Sequence, residues 1–284
     1  MSSTAKLHIV SHDECGGTHC RLRTVDIGVQ FLLFFEAEME IPVNTGVAPS
    51  ELTIVIPAKN EAKLIPRLLN SLANQDYLKM RDTKILVADA GSTDGTSEIV
   101  LGFHDRLNVG VIPGGLPSVG RNAGAALTRS DYVLFIDADI EPASDSLIRR
   151  ALELARRKDL HLVTTNIICR EGNWLDKALY FIASVFQHLS RLHRPFSSGM
   201  FMLFNKRRFD ELGGFHEKVN YAEDYFLSKQ VARNKFGIVR GGFYTTNRLF
   251  RRLGRFRVAQ LFVITAFKYR SQSHFLRDHK YWDA

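Results

Sequence analysis

From Leu52 onward, short runs of nearly continuous apolar residues alternate with stretches in which apolar residues return every three or four positions. The first pattern marks strands buried on both faces, and the second marks helices with one buried side. Strands are predicted at 52–57, 84–89 and 108–112, the first closed by Pro57 and the last followed by a Pro-Gly-Gly loop. A fourth, at 132–137, is apolar at almost every position and reads as the central strand. Between these runs Leu64, Ile65, Leu68, Leu69 and Leu72 share one helical face, and another helix opens near Ser118. Beyond 137 the spacing predicts a helix at 144–158, with Leu147, Ile148, Ala151, Leu152 and Ala155 inward, then a strand at 161–168 and a long helix at 174–192. A short strand at 199–204, a helix at 206–212 stopped by Gly213 and Gly214, and a helix at 222–233 follow. Strands and helices in alternation predict an α/β fold, a mostly parallel central sheet with helices on both faces.

Residues 1–50 read differently, as mixed polar residues, one apolar patch at 27–35, and Pro42, Asn44, Gly46 and Pro49 as a linker. The expected organisation is an N-terminal extension and linker at 1–50, a domain at 51–245 and a basic, amphipathic segment at 246–284. The extension holds His8, His12, Cys15, His19 and Cys20, which are metal-binding side chains, but their spacing matches no usual zinc finger. With 45% apolar and 24% charged residues in 284, disorder and fibrous repeats are excluded for the body of the chain. Three cysteines are too few for a secreted disulfide scaffold and fit a reducing, cytoplasmic location. No run approaches the roughly 18 apolar residues that a membrane-spanning helix needs, although 178–186 and 258–267 are long enough to lie on a membrane. The net charge of +8 favours an anionic partner, whether phosphate, nucleic acid or an acidic lipid surface.

The chemistry concentrates at the carboxyl ends of the predicted strands, the edge at which open α/β sheets bind ligands. Pro57, Lys59 and Glu61 follow the first strand, Asp89 closes the second, and Asp137 and Asp139 close the central one. An Asp-x-Asp pair delivered by a buried strand presents hard oxygen ligands suited to Mg²⁺ or Mn²⁺, which complete their shells with water and phosphate oxygens. The loop from Asp89 to Thr96 carries Gly91, Gly95 and small hydroxyl residues, and serves either as a capped turn or as a ligand loop with Asp89 as acceptor. Arg121 and Asn122, between Gly120 and Gly124, stand in the first turn of a helix, placed to meet an anion or a base.

These motifs together, 55–61, 89–96, 120–124, 135–139, Gly213-Gly214-Phe215 and 222–225, resemble the family 2 glycosyltransferases of the GT-A fold, in the family's order and over about residues 52–245. The resemblance implies a nucleoside-diphosphate sugar donor, with Pro57, Lys59, Glu61 and Asp89 around the nucleobase and ribose and Arg121 nearby. It implies Asp137 near the ribose and metal-bound water, Asp139 on the metal, and Asp224 as general base with Glu223 beside it. It also implies inversion at the anomeric carbon and a segment at 244–257 that closes over the donor. The physics agrees: charge developing on a leaving diphosphate calls for a cation, and an acceptor hydroxyl calls for a positioned carboxylate.

Arg248, Arg251, Arg252 and Arg255 form one basic stripe if they share a helix, with Lys206, Arg207 and Arg208 as a second cluster. A solvated face, contact with a diphosphate or lipid headgroup, and nucleic acid remain alternative uses, the last not expected of this family. The apolar residues behind the stripe suit either a core-docked helix or one lying in a membrane interface, giving peripheral attachment at the inner face as the alternative to a free cytoplasmic protein. The 174–192 helix and the 194–199 loop are expected to line the acceptor side, for a glycan, lipid-linked or small acceptor. The rivals are a nucleotidyltransferase on a related sheet and a nonenzymatic basic protein that binds nucleic acid.

Overall fold

The computed structural model describes residues 6–9, 23–26, 50–219, 222–267 and 276. The chain divides into two compact units, Met1–Val47 and Ala48–Ala284. In the first, β1 (Lys6–Ile9) pairs antiparallel with β2 (Arg23–Asp26). His8 lies in β1, while His12, Cys15, His19 and Cys20 fall outside the described residues.

The second unit is built on strands β3 (Leu52–Ala58), β4 (Lys84–Asp89), β5 (Val109–Pro113), β6 (Tyr132–Ile136), β7 (Glu141–Pro142), β8 (Leu162–Cys169), β9 (Phe201–Asn205) and β10 (Phe236–Thr245). Its helices are α1 (Ile65–Ala73), α2 (Thr96–Leu101), α3 (Pro117–Ala126), α4 (Leu147–Arg157), α5 (Trp174–Ser190), α6 (Lys206–Glu211), α7 (Glu223–Ser228), α8 (Arg248–Leu253) and α9 (Arg255–Phe267). One eight-stranded sheet runs β5-β4-β3-β6-β9-β8-β10-β7, and only β9 and β7 oppose the other strands. The α/β reading with a mostly parallel sheet therefore holds.

Side chains on a strand alternate between faces, and the core divides accordingly. Ile54, Ile56, Leu134 and Ile136 pack on one side with α1 and α4, and Val55, Val133 and Phe135 pack on the other. On that second side Phe135 lies with ring centroids 5.0 Å from both Phe209 and Phe215. This aromatic contact fixes the Gly-Gly-Phe turn beneath the carboxyl end of β6. Gly124 brings α3 directly onto β3, where an added Cβ would stand 2.4 Å from a Val55 methyl.

Four features differ from the sequence reading. The longest strand, β10, was not expected, because Gly237, Arg240, Gly241 and Gly242 interrupt its apolar run, and its pairing with β8 shifts register between Ile238 and Gly242. The short edge strand β7 was also not expected. The predicted 222–233 helix ends at Ser228, with a separate turn of 3-10 helix at Arg233–Lys235. The four-arginine stripe does not exist as one face, since Gly254 at φ 82° separates α8 from α9 and sends Arg248 and Arg255 to different partners.

Gly124→Ala should lower the unfolding free energy in urea by about 1–3 kcal/mol, the usual cost of overpacking; unchanged stability would mean that α3 can move off β3.

Candidate active site

The carboxyl ends of β3, β4 and β6 meet at one edge of the sheet, where two loops are laced together. The backbone N–H of Asn60 donates to Ser92 Oγ at 2.8 Å and that of Thr93 donates to Asn60 Oδ1 at 2.9 Å. The Glu61 N–H donates to Thr96 Oγ1 at 2.9 Å. Asn60 sits at φ 55°, a left-handed conformation that asparagine tolerates better than most residues. Asp89 accepts from the Ser92 N–H at 3.1 Å and the Ser97 hydroxyl at 2.8 Å, so it organises its own loop. Lys59 is exposed, and Pro57 lies half-buried at the end of β3.

At the centre stands Arg121 of α3, fully buried. Its Nη2 donates to Asp137 Oδ1 at 2.7 Å and its Nη1 donates to Glu223 Oε1 at 2.8 Å, with Phe215 5.2 Å beneath the guanidinium. Burial works against its charge, but the two carboxylates outweigh that and hold it protonated. Its buried Nε has no hydrogen-bond partner among the described residues. Arg121 thus joins the end of β6 to the start of α7, and it faces carboxylates where the sequence alone suggested a donor ligand.

Asp224 follows Glu223 and is held from two sides. It accepts from the Gly199 N–H at 2.6 Å and the Tyr225 N–H at 2.7 Å. Burial, and next the charge of Glu223, push its carboxyl well above the ordinary carboxylate range, against those two hydrogen bonds and Arg121. Ala222, which leads into α7, has φ 54°, an uncommon conformation for a residue with a Cβ and one that tends to occur at functional sites.

Asp139 lies on the outer side of the same edge. Burial, then the charge of Asp137, raise its carboxyl to about 6, with Arg248 opposing and Glu61 reinforcing. Arg248 donates to Asp139 Oδ2 at 3.1 Å and grips Glu61 with two bonds of 2.6 and 2.9 Å. Arg255 points instead to Asp176 of α5, and Arg251 and Arg252 are exposed on α8. Among the described residues, no group of three or more His, Cys, Asp or Glu side chains stands where it could hold a metal ion. The side chains available there to a cation are the Asp137 and Asp139 pair expected from the sequence. Burial and, second to it, the charge of Asp137 both disfavour an unaccompanied Asp139 carboxylate, and two hard carboxylate oxygens at one strand end are a donor set that fits Mg²⁺ or Mn²⁺.

Above Asp137, Glu223 and Asp224 opens a cleft that is continuous with solvent. Its walls are largely apolar, with Tyr180 and Phe186 of α5, Phe196, and Val258, Leu261 and Phe262 of α9. α5 and the 194–199 loop, expected from the sequence on the acceptor side, both line this cleft. The segment expected to close over the donor is the end of β10 followed by α8. Sequence reasoning missed the roles of Gly199 and Ala222, a backbone donor and a backbone conformation that no side chain advertises, and of Asn60, whose Oδ1 accepts from the neighbouring loop.

This architecture is that of the GT-A glycosyltransferases. Staphylococcus aureus TarS in complex with UDP-GlcNAc superposes at TM-score 0.57 and 20% identity, over 69% of this chain and 58% of that one. The mannosyltransferase PcManGT from Pyrobaculum calidifontis, in complex with GDP-Man and Mn²⁺, does so at 0.57 and 21%, over 75% and 60%. The chain belongs to glycosyl transferase family 2, whose model matches residues 53–213. The S. aureus poly(ribitol-phosphate) β-N-acetylglucosaminyltransferase TarS is 36% identical over 93 residues, 31% of this chain and 16% of TarS. The 4,4'-diaponeurosporenoate glycosyltransferase of Staphylococcus haemolyticus is 31% identical over 134 residues, 45% of this chain and 33% of that protein. The chain thus spans a third or less of the length of these curated relatives.

A carboxyl whose pKa is raised on folding favours the folded state while protonated and loses that advantage as pH rises through the folded value. Asp139→Asn should therefore gain stability relative to wild type between about pH 4 and 6, by on the order of 1–3 kcal/mol, and hold the gain above pH 6. Urea unfolding at both pH values checks this, and a pH-independent difference between the two proteins would contradict it.

Proposed function

We propose that this chain transfers a sugar from a nucleoside-diphosphate sugar to an acceptor hydroxyl, with a divalent cation and with inversion at the anomeric carbon. The observation that carries the reading is the placement of Asp224, a half-buried carboxylate oriented by two backbone N–H groups at the floor of an open cleft, beside the Asp137 and Asp139 edge. The donors bound to TarS and PcManGT, UDP-GlcNAc and GDP-Man, support the donor class, and the Mn²⁺ in the latter supports the cation.

The laced loops at 57–61 and 89–96 receive the nucleoside, with Pro57, Lys59, Glu61 and Asp89 at its border. Asp139, with Asp137 beside it, would hold the Mg²⁺ or Mn²⁺, which when bound would supply positive charge to the diphosphate leaving group. Arg248, already on Asp139 and Glu61, adds a second cation at the same place. Asp224 takes the proton from the acceptor hydroxyl, which then attacks the anomeric carbon as the bond to the diphosphate breaks. Its raised pKa keeps it a stronger base than an ordinary carboxylate while leaving it ionised at mildly alkaline pH. Arg121 and Glu223 act through Asp137 and Asp224 as positioning residues.

Purified protein with Mn²⁺, screened against UDP- and GDP-sugars, should release the nucleoside diphosphate; release of pyrophosphate from a nucleoside triphosphate would favour a nucleotidyltransferase. Asp224→Asn should keep donor binding and lose about 10²–10⁴ in turnover, whereas Asp139→Ala should lose metal-dependent donor binding. Glu223→Gln should move the acid limb of the pH–rate profile downward, since the Glu223 charge helps hold the base high. An unmoved limb would take Asp224 out of the base role.

A further inference from the structure

Helix α5 is built with its polarity reversed. The positions it turns inward include Asp176, Ser184, Gln187 and Ser190, and each is satisfied there. Ser184 Oγ accepts from the Ile167 N–H at 2.9 Å, and Gln187 donates to Thr165 O at 3.2 Å while accepting from the Ser198 N–H at 3.0 Å. Ser190 Oγ donates to Gln187 O at 2.7 Å, and Asp176 accepts from Arg255 Nε at 2.6 Å. The opposite face carries Trp174, Phe181, Ile182, Val185 and Leu189, all exposed, Trp174 at 74% and Phe181 at 67%. A helix facing water has the reverse arrangement, and soluble monomers seldom leave a contiguous apolar patch of this kind without an occupant.

The neighbouring helix extends the patch. Phe256, Phe262 and Val263 of α9 are exposed. Phe186 and Phe262 each reach solvent and also line the cleft, so the space above Asp224 opens between the two apolar faces. The fringe is basic: Lys177, Arg191, Arg251 and Arg252 are exposed, and residues 248–267, in which Arg248 and Arg255 are engaged by Glu61, Asp139 and Asp176, contain no Asp or Glu. Aromatic and aliphatic side chains bordered by cations match an anionic lipid surface. No helix among the described residues is long and apolar enough to cross a membrane. The 17 residues of α5 span about 25 Å and suit a helix lying along the surface.

We propose that the outward faces of α5 and α9 seat the protein on an anionic lipid surface, and that the acceptor is an amphiphile entering the cleft from that surface with its hydroxyl toward Asp224. The acceptor half rests on the transferase reading, while the docking half stands on the surface alone. Cosedimentation with vesicles of phosphatidylcholine mixed with phosphatidylglycerol should capture the full chain, less so at high salt and less so with phosphatidylcholine alone. Phe181→Glu/Ile182→Glu, both outside the cleft, should weaken partitioning about tenfold or more while leaving the circular dichroism and nucleotide-sugar hydrolysis unchanged. Wild-type protein that stays in the supernatant, or a double variant that partitions equally, overturns the docking. So does a wild-type dimer that the double variant dissociates, which would make the patch a subunit interface. For the acceptor, a long-chain alkyl glycoside below its micelle concentration should bind about tenfold or more tightly than the methyl glycoside of the same sugar, and equal binding overturns that half. Vesicle binding without any nucleotide-sugar binding would support the docking and refute the transferase reading, whereas the converse would refute the docking alone.

Discussion

The site depends on one buried cation. Asp137 closes β6, Glu223 and Asp224 open α7, and all three carboxylates converge below the cleft floor. Brought together in a low-dielectric interior, they would repel one another and protonate or separate. Arg121, entering from α3, binds one oxygen each of Asp137 and Glu223 and so fixes α7 against the end of the sheet. Removing one partner from such an arrangement leaves a buried charge uncompensated, which generally costs about 3–5 kcal/mol. Asp224 makes no ion pair with Arg121 and accepts from the Gly199 and Tyr225 N–H groups, and burial together with the Glu223 charge keeps its carboxyl basic against those bonds and the Arg121 charge.

A second guanidinium does similar work on the outer side in a different setting. Arg248 bridges Glu61 and Asp139, but it is about half exposed, with a side-chain accessibility of 48% against 2% for Arg121. Arg121 is part of the scaffold; Arg248 sits at the solvent boundary, where, in the proposed reaction, a divalent cation would compete with it for the Glu61 and Asp139 carboxylates and a diphosphate would compete with those carboxylates for its guanidinium. The two acidic tasks of the proposed reaction are thus separated in space, each with its own counter-charge. Asp176 repeats the theme behind the site, since its pair with Arg255 ties α5 to α9 and sets the walls of the cleft.

Much of this was legible in the chain. The apolar runs ending in Asp89 and Asp137 gave both the sheet and the edge at which the chemistry gathers, because a strand buried on both faces has to be continuously apolar and its polar residues must wait until it leaves the core. The Gly-x-x-x-Gly spacing around Arg121 was visible, but its reason, the approach of α3 to Val55, was not. β10 was hidden because three glycines and an arginine break its hydrophobic pattern, and its register shift makes those residues tolerable. The partners of Arg121 lie 16 and 102 residues away, beyond anything periodicity can show. Gly199 and Ala222 act through backbone geometry and left no chemical signature. The reversal of α5 was present in the alternation of Phe and Ile with Asp, Ser and Gln, but sequence alone does not say which stripe faces in.

The claim that Arg121 couples the sheet edge to α7 is tested most directly by a double-mutant cycle on Arg121→Met and Glu223→Gln, read by urea unfolding. The account predicts that the double variant is less destabilised than the sum of the two singles, with a coupling energy of about 1–3 kcal/mol. Additivity to within about 0.3–0.5 kcal/mol would contradict it.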